Sequence, residues 1–175
     1  GMQEQALEAL DKLHLEGSLP HGLCLFDESW HQGVIGILAS RIKDRVHRPV
    51  IAFAKANDDE IKGSARSVPG LHIRDALDAV AAHHPGLLNK FGGHAMAAGL
   101  SIPEGRHEEF SQAFEAVVRE LIDPADLEGV IETDGELDAA DHRYELAVEI
   151  DHAVWGQGFP APLFTATFDV LAQRV

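Results

Sequence analysis

Gly33-Val34-Ile35-Gly36-Ile37-Leu38-Ala39-Ser40-Arg41-Ile42-Lys43-Asp44-Arg45-Val46-His47-Arg48-Pro49-Val50-Ile51-Ala52-Phe53-Ala54 changes its hydrophobic period at one proline, and that change decides the fold. Ile35, Leu38, Ala39, Ile42 and Val46 recur at intervals of three and four, which puts them on one face of a helix over Gly33–His47. Pro49 cannot continue that helix. Val50 to Ala54 is then a continuous apolar run of strand length, suited to burial on both faces. Leu23 to Phe26 is a second such run ahead of the helix. Strand, helix, strand is the repeat of an α/β domain.

Working outward, Asn57-Asp58-Asp59 reads as a turn into a strand near Ile61 to Ser67. Ile73 to His84 is helical, with Ile73, Ala76, Leu77, Val80 and Ala81 in step, and Pro85-Gly86 closes it. Gly92-Gly93-His94 reads as a glycine turn entering the apolar stretch Ala95 to Ile102. Glu104 to Ile122 is the clearest helix, since Phe110, Phe114, Val117, Val118 and Leu121 share a face. Upstream, Gln3 to His14 has a weakly apolar helical face and Gly17-Ser18-Leu19-Pro20 ends it. Beyond Asp123-Pro124 the texture changes: Val130 to Leu137 suits a strand, Ala139 to Asp151 a helix, and Leu163 to Val175 a strand.

Net charge is −15, which by itself disfavours a polyanionic partner. Its distribution tells more. From Ile37 to Arg74 eight basic residues oppose four acids, whereas from Ser111 to Val175 fourteen acids oppose three arginines. A locally basic segment of an acidic chain still binds phosphate. No apolar run reaches the roughly 18 residues of a membrane span. The first residues lack the basic and apolar regions of a signal peptide, and Gly1 before Met2 reads as the scar of a cleaved tag. Cys24 is the single cysteine, so no intrachain disulfide forms and a cytoplasmic location fits. Within its apolar run it reads as a small core residue.

Lys62-Gly63-Ser64-Ala65-Arg66-Ser67 ends a strand with two hydroxyls and a guanidinium, which together make a phosphate cradle. A solvated strand end fits the same residues. Phe91-Gly92-Gly93-His94 offers close backbone approach and exposed N–H groups, with a histidine able to donate to a phosphate oxygen. A plain glycine turn fits equally well. Trp30-His31-Gln32-Gly33 leads into a helix whose N-terminus favours an anion. Trp30 is suited to stacking on a base, and as well suited to the core. Arg41, Arg45 and Arg48 form a basic stripe beside the apolar helix face, which is also an ordinary solubilising surface. No zinc-binding spacing, clustered aspartates or nucleophile elbow appears, so no metal site is expected within this sequence.

These segments, in this order, resemble the DHH-associated domain of the RecJ family of exonucleases, within the DHH phosphoesterase superfamily. The resemblance is carried by Trp30 to Arg41, Arg48-Pro49-Val50-Ile51, Lys62 to Ser67, Gly70-Leu71-His72 and Asp75-Ala76-Leu77. Phe91-Gly92-Gly93-His94-Ala95-Met96-Ala97-Ala98-Gly99-Leu100 is its most specific piece. Trp155-Gly156-Gln157-Gly158-Phe159-Pro160, with Pro162 and Phe164, is similar to the start of that family's OB-type domain.

The resemblance implies an α/β domain with a mixed sheet flanked by helices over residues 21–122. It also implies the end of a connecting helix over 1–20 and a truncated OB-type segment over 123–175. It implies a 5′-to-3′ exonuclease acting on single-stranded DNA in repair and recombination. Hydrolysis would depend on Mn²⁺ or Mg²⁺ held by a DHH domain outside this sequence, so that this stretch alone would bind no metal and be inactive. Carried over by position, Ser64, Arg66 and Ser67 would bind phosphate, and Gly92, Gly93 and His94 would flank the scissile one. His94 would act on the transition state, while Trp30, His31 and Arg41 would add nucleic-acid contacts. No membrane is implied, and protein partners stay unspecified. The family's glycine in Ser-Gly-Arg-Ser is here Ala65, where a positive φ would be costly. Two alternatives stand beside this: a phosphate-binding module of a smaller DHH phosphodiesterase, and a non-catalytic nucleic-acid-binding appendage like that of alanyl-tRNA synthetase. The Trp155 to Phe164 segment favours the exonuclease over the appendage, and the long continuation past Gly92-Gly93-His94 favours it over the smaller phosphodiesterase.

Overall fold

The computed structural model describes residues 19–156, 159–167, 169 and 171–172. The helix expected over Gln3 to His14 lies outside them. The chain divides into two compact units, 1–129 and 130–175.

Within the first unit the described elements are β1 (Leu23–Phe26), α1 (Ile35–Val46), β2 (Val50–Lys55), β3 (Glu60–Arg66), α2 (Ile73–His83), β4 (Lys90–Gly93), β5 (Ala97–Pro103) and α3 (His107–Leu121), then a 3-10 turn at Pro124–Leu127. The strands form one mixed sheet in the order β1-β2-β3-β5-β4. β1 and β2 are parallel, as a helical crossover allows, and the remaining pairs are antiparallel. The α/β class and the mixed sheet are as expected. One element was not legible: Gly92 and Gly93, expected in a turn, lie in β4 and pair with Gly99 and Ala98 of β5.

Alternation along β2 divides the core. Ile51 and Phe53 enter the cluster formed with α2 and α3, whereas Val50, Ala52 and Ala54 enter a second cluster with Trp30 and α1. The first cluster holds Phe53, Phe110 and Phe114, all fully buried. Phe53 meets Phe110 edge-on at 5.5 Å, and Phe110 stacks on Phe114 at 6.1 Å. Burial of each such ring contributes on the order of 1.5–3 kcal/mol. Gly63 makes room for them, because a Cβ there would stand 2.6 Å from the Phe53 ring and 2.8 Å from Leu100.

Coverage of the two faces is unequal. α2 and α3 cover one face, while α1 covers the other over β2 and β3 and shares a buried cluster with Leu23 and Leu25 of β1. The outer face of β5 and β4, beside the exposed Lys62 of β3, is therefore left open, and it positions the site.

α1 ends as its sequence dictates. His47 takes the left-handed conformation at φ 49° and donates its N–H to Lys43 O at 2.8 Å. Arg48 belongs to no basic stripe: half-buried, its Nη1 donates to Leu127 O at 2.6 Å and His47 O at 3.0 Å. It ties the 3-10 turn to the end of α1. Ala65 is free of the expected cost, since His47 is the one non-glycine residue with positive φ among those described.

In the second unit α4 spans Tyr144–His152, starting inside the stretch read as helical and ending one residue past it. The strands expected at Val130 to Leu137 and Leu163 to Val175 are not formed among the described residues. A single bridge joins Glu136 to Thr165 there, reinforced by Asp134 N–H to Leu163 O at 2.8 Å. The Trp155 indole N–H donates to Ile150 O at 2.7 Å and its ring lies 5.4 Å from Phe159.

Candidate functional site

β3 reads Glu60, Lys62, Ser64, Arg66 on its open face and Ile61, Gly63, Ala65 on its core face, since strand side chains alternate. On β5 the same face carries Ala97, Gly99 and Ser101, and on β4 it carries Lys90 and Gly92. Pairing register sets these residues in rows across the sheet. Lys62, Ser101 and Lys90 form one row, and Ser64, Gly99 and Gly92 the next. Arg66 stands opposite Ala97 in the row beyond.

Together with Gln32, Gly33, Ile35 and Gly36 at the start of α1, the first two rows line an open groove of about 730 Å³. Its floor is bare where the glycines fall: a Cβ at Gly92 or Gly99 would meet nothing within 4 Å. Two lysines lie along it, with one acid, Glu60, at the same end.

Arg66 lies across Ser64 and against the helix. Its Nη1 donates to Ser64 Oγ at 3.0 Å and to Ala65 O at 2.8 Å. A Cβ at Gly36 would stand 2.9 Å from Arg66 Nη2 and 3.2 Å from Ser64 Oγ, so only glycine lets the guanidinium come this close to α1. No carboxylate pairs with Arg66 among the described residues. The first turn of α1 has no acidic residue and no side-chain cap, so its N–H groups and dipole favour an anion in the same area. His31 shapes the approach by accepting the Gly33 N–H at its Nδ1, 3.0 Å away. That bond places the ring proton of neutral His31 on Nε2, leaving a donor on the exposed edge.

The β4–β5 hairpin supplies the other wall. Gly93 has φ 151°, and a Cβ there would be 2.5 Å from Ala98 Cα; the hairpin closes tightly because this residue is glycine. His94 follows at the turn, exposed, with its backbone N–H donated to Ala97 O at 2.9 Å.

The structure thus brings Ser64, Arg66 and Gly92 together beside the start of α1, with Gly93 and His94 at the adjoining hairpin end and His31 ahead of the helix. Two expected residues are placed elsewhere. Ser67 is 1% exposed, and its hydroxyl serves Leu71 O at 2.7 Å and Val68 O at 3.3 Å. It holds the loop after β3 and has no donor for a phosphate. Trp30 is 5% exposed within the α1 core cluster, so its ring is not available to stack on a base. Arg41 is exposed on α1, outside the groove lining. Lys62, Lys90, Gly99 and Ser101 were missed as a set. The available signal was period-two alternation, which puts small or polar residues on one face of β3 and β5.

Cys24 stays a packing residue. Burial pushes its thiol well above the ordinary range, outweighing a hydrogen bond with Ser111. No three His, Cys, Asp or Glu side chains converge to hold a metal among the described residues.

Residues 20–120 match the DHHA1 domain model. The chain belongs to the DHHA1 domain family. The match spans the whole sheet and α1 to α3. Among curated proteins, this DHHA1 chain is 52% identical over 177 residues to the single-stranded-DNA-specific exonuclease RecJ of Salmonella typhimurium, covering 100% of this chain and 31% of the relative. The RecJ of Escherichia coli is 51% identical with the same coverage. Among solved structures, the crystal structure of RecJ from Thermus thermophilus in complex with Mg²⁺ superposes with a TM-score of 0.66 at 29% identity, over 93% of this chain and 25% of that one. This DHHA1 chain therefore spans about a third of the length of the curated relatives it matches.

Proposed function

We propose that this chain is the substrate-binding portion of a RecJ-type 5′-to-3′ single-stranded-DNA exonuclease, with hydrolysis residing in a DHH domain elsewhere in the parent protein. The observation that carries the reading is the match to RecJ exonucleases over the full chain, which includes the second unit and so favours an exonuclease over a smaller phosphodiesterase or a tRNA-binding appendage. The groove supports it. Bidentate guanidinium contact by Arg66, a hydroxyl from Ser64, the N–H groups opening α1 and a bare glycine floor suit a DNA phosphate drawn close to the backbone. Single-stranded DNA is the partner, and DNA repair and recombination in the cytoplasm is the setting.

In this reading Arg66 and Ser64 hold a backbone phosphate, His31 Nε2 adds a donor, and Arg41 acts at longer range through its charge. Gly92 and Gly93 let the strand approach, and His94 stands by the scissile phosphate. Mn²⁺ or Mg²⁺, bound by the DHH domain, activates water for attack on the phosphodiester. Residues 1–20 close the connection to that domain, and 123–175 begin an OB-type domain.

Arg66 is the test. Loss of paired, charge-assisted bonds should cost Arg66→Ala about 1.5–3 kcal/mol of single-stranded-DNA affinity. Arg66→Lys should restore only part, because a point charge does not reproduce the fork. Titration of this chain with oligothymidylate at several salt concentrations measures both. Equal affinity for Arg66→Ala and the original protein would move the phosphate site elsewhere.

A further inference from the structure

Beyond the Arg66 cradle the groove has a second basic row, one strand repeat away. Lys62 and Lys90 both stand opposite Ser101, from its two neighbouring strands. Side chains of such directly opposed pairs rise from the same face, with Cβ atoms about 5 Å apart. Both lysines are exposed and line the groove, whereas Ser101 between them is 4% exposed. The row therefore consists of two flexible ammonium groups flanking a short, fixed hydroxyl. It is displaced by two residues along β3 from Ser64, which is about 7 Å at the usual strand rise. That distance is of the order of one nucleotide step of an extended strand. Within the Ser64 row the floor is open over Gly92 and Gly99, so a backbone can pass over it toward the lysine row.

Glu60 stands at the far end of the same face. Its Oε2 accepts from Asn89 Nδ2 at 3.0 Å. Asn89, then Ser101, then the charges of Lys62 and Lys90 hold the carboxyl below the ordinary range. Glu60 thus shares the groove lining with Lys62, Lys90 and Ser101, the groups that a phosphate would use.

We propose that Lys62, Ser101 and Lys90 form a second phosphate subsite for the same DNA strand, and that Glu60 occupies it in the free protein and ends the track there. This rests on reading the groove as a phosphate track, and it adds the site's length and polarity. The strand runs along β3 and β5 rather than across them. Two consecutive phosphates are held, at Arg66–Ser64 and at Lys62–Ser101–Lys90, and Glu60 repels a third.

The test uses this 175-residue chain and 5′-phosphorylated oligothymidylates of one to six nucleotides, with binding followed by NMR shift perturbation. In the original protein the second phosphate should strengthen binding about tenfold, the scale of one charge-assisted contact, and further phosphates should add little. Lys62→Ala combined with Lys90→Ala should abolish that gain and make the log–log salt slope shallower by about 0.7, one phosphate on a single strand. Glu60→Gln should tighten binding of dinucleotide and longer ligands up to about fivefold, the scale of one exposed ion pair, and leave the mononucleotide unaffected. If the double lysine variant keeps both gain and slope while Arg66→Ala weakens every length, the groove holds one phosphate and the inference fails alone. If neither variant changes binding, the groove is not the DNA site and both readings fall. Unchanged or weaker binding by Glu60→Gln would overturn its role as the occupant. Lys62 and Lys90 are exposed and Glu60 is half-buried, and circular dichroism of each variant confirms the fold.

Discussion

Gly36 on α1 and Arg66 on β3 are fitted to each other: a Cβ on the glycine would stand 2.9 Å from the arginine's Nη2. Helix and strand thus meet beside Ser64, and the missing side chain on one lets the guanidinium of the other reach the opening of α1. The atom in the way is the end of a flexible side chain, so Gly36→Ala should displace Arg66 without damaging the core. Alanine also favours the helix over glycine by up to about 1 kcal/mol. The expected result is an equal or higher melting temperature with weaker single-stranded-DNA binding. Unchanged affinity in a stable Gly36→Ala protein would show that the position of Arg66 against α1 is immaterial.

The paired glycines of β4 should behave oppositely. Gly93→Ala forces a side chain into φ 151° and against Ala98, and backbone strain of this kind costs on the order of 1–3 kcal/mol. Gly92→Ala meets nothing within 4 Å, so its stability should stay within about 1 kcal/mol of the original, as for other surface changes. Its methyl would stand on the groove floor and weaken DNA binding. Urea denaturation and DNA titration of the two variants check the pair; equal loss of stability would contradict the hairpin geometry.

His94 is expected to serve turnover more than affinity. It follows the Gly93 constriction at an exposed turn, and the proposed function sets it beside the scissile phosphate, where charge grows during attack. In the full-length parent, His94→Ala should lower single-turnover cleavage by about 10²–10³, the usual cost of one such donor. DNA affinity should fall far less, because Arg66 and Ser64 remain. Near-normal cleavage by a folded His94→Ala enzyme would exclude it from catalysis.

Acid lability should centre on His107. Its ring lies 5.5 Å from Phe53 and 5.7 Å from Phe26, and its buried Nε2 has no hydrogen-bond partner among the described residues. Burial lowers its pKa from the ordinary 6.5, against a smaller opposing effect of Glu108. The sign follows from proton uptake. Below the ordinary value the unfolded chain binds a proton that folded His107 resists, so stability falls as pH drops through this window and the loss is complete below the folded pKa. Denaturation between pH 5 and 8 should show a shallower pH dependence for His107→Phe than for the original protein. Parallel curves would assign the lability to other groups.

How far the chain could be read in one dimension depended on whether the signal was local. α1, α2 and α3 follow from one-face periodicity, and β1 and β2 from continuous apolar runs; both are local signals. β4 was hidden, since glycine has low strand propensity and Gly92-Gly93 is held in the sheet by pairing with β5 rather than by preference. Among the described residues the second unit's expected strands meet only at the bridge between Glu136 and Thr165; apolar alternation alone does not extend such a pairing into a ladder.

By itself the sequence determined the α/β class, the family motifs and the chemical character of Ser64, Arg66 and the glycines, because these lie in contiguous residues. Only the tertiary structure decided which of them face outward together. Strand register set Lys62, Ser101 and Lys90 in one row although they lie far apart in the chain, and α1's partial cover left that row open. The same packing turned Ser67 and Trp30 inward. Which groups converge depends on pairing between distant segments, and that information is in no single stretch of residues.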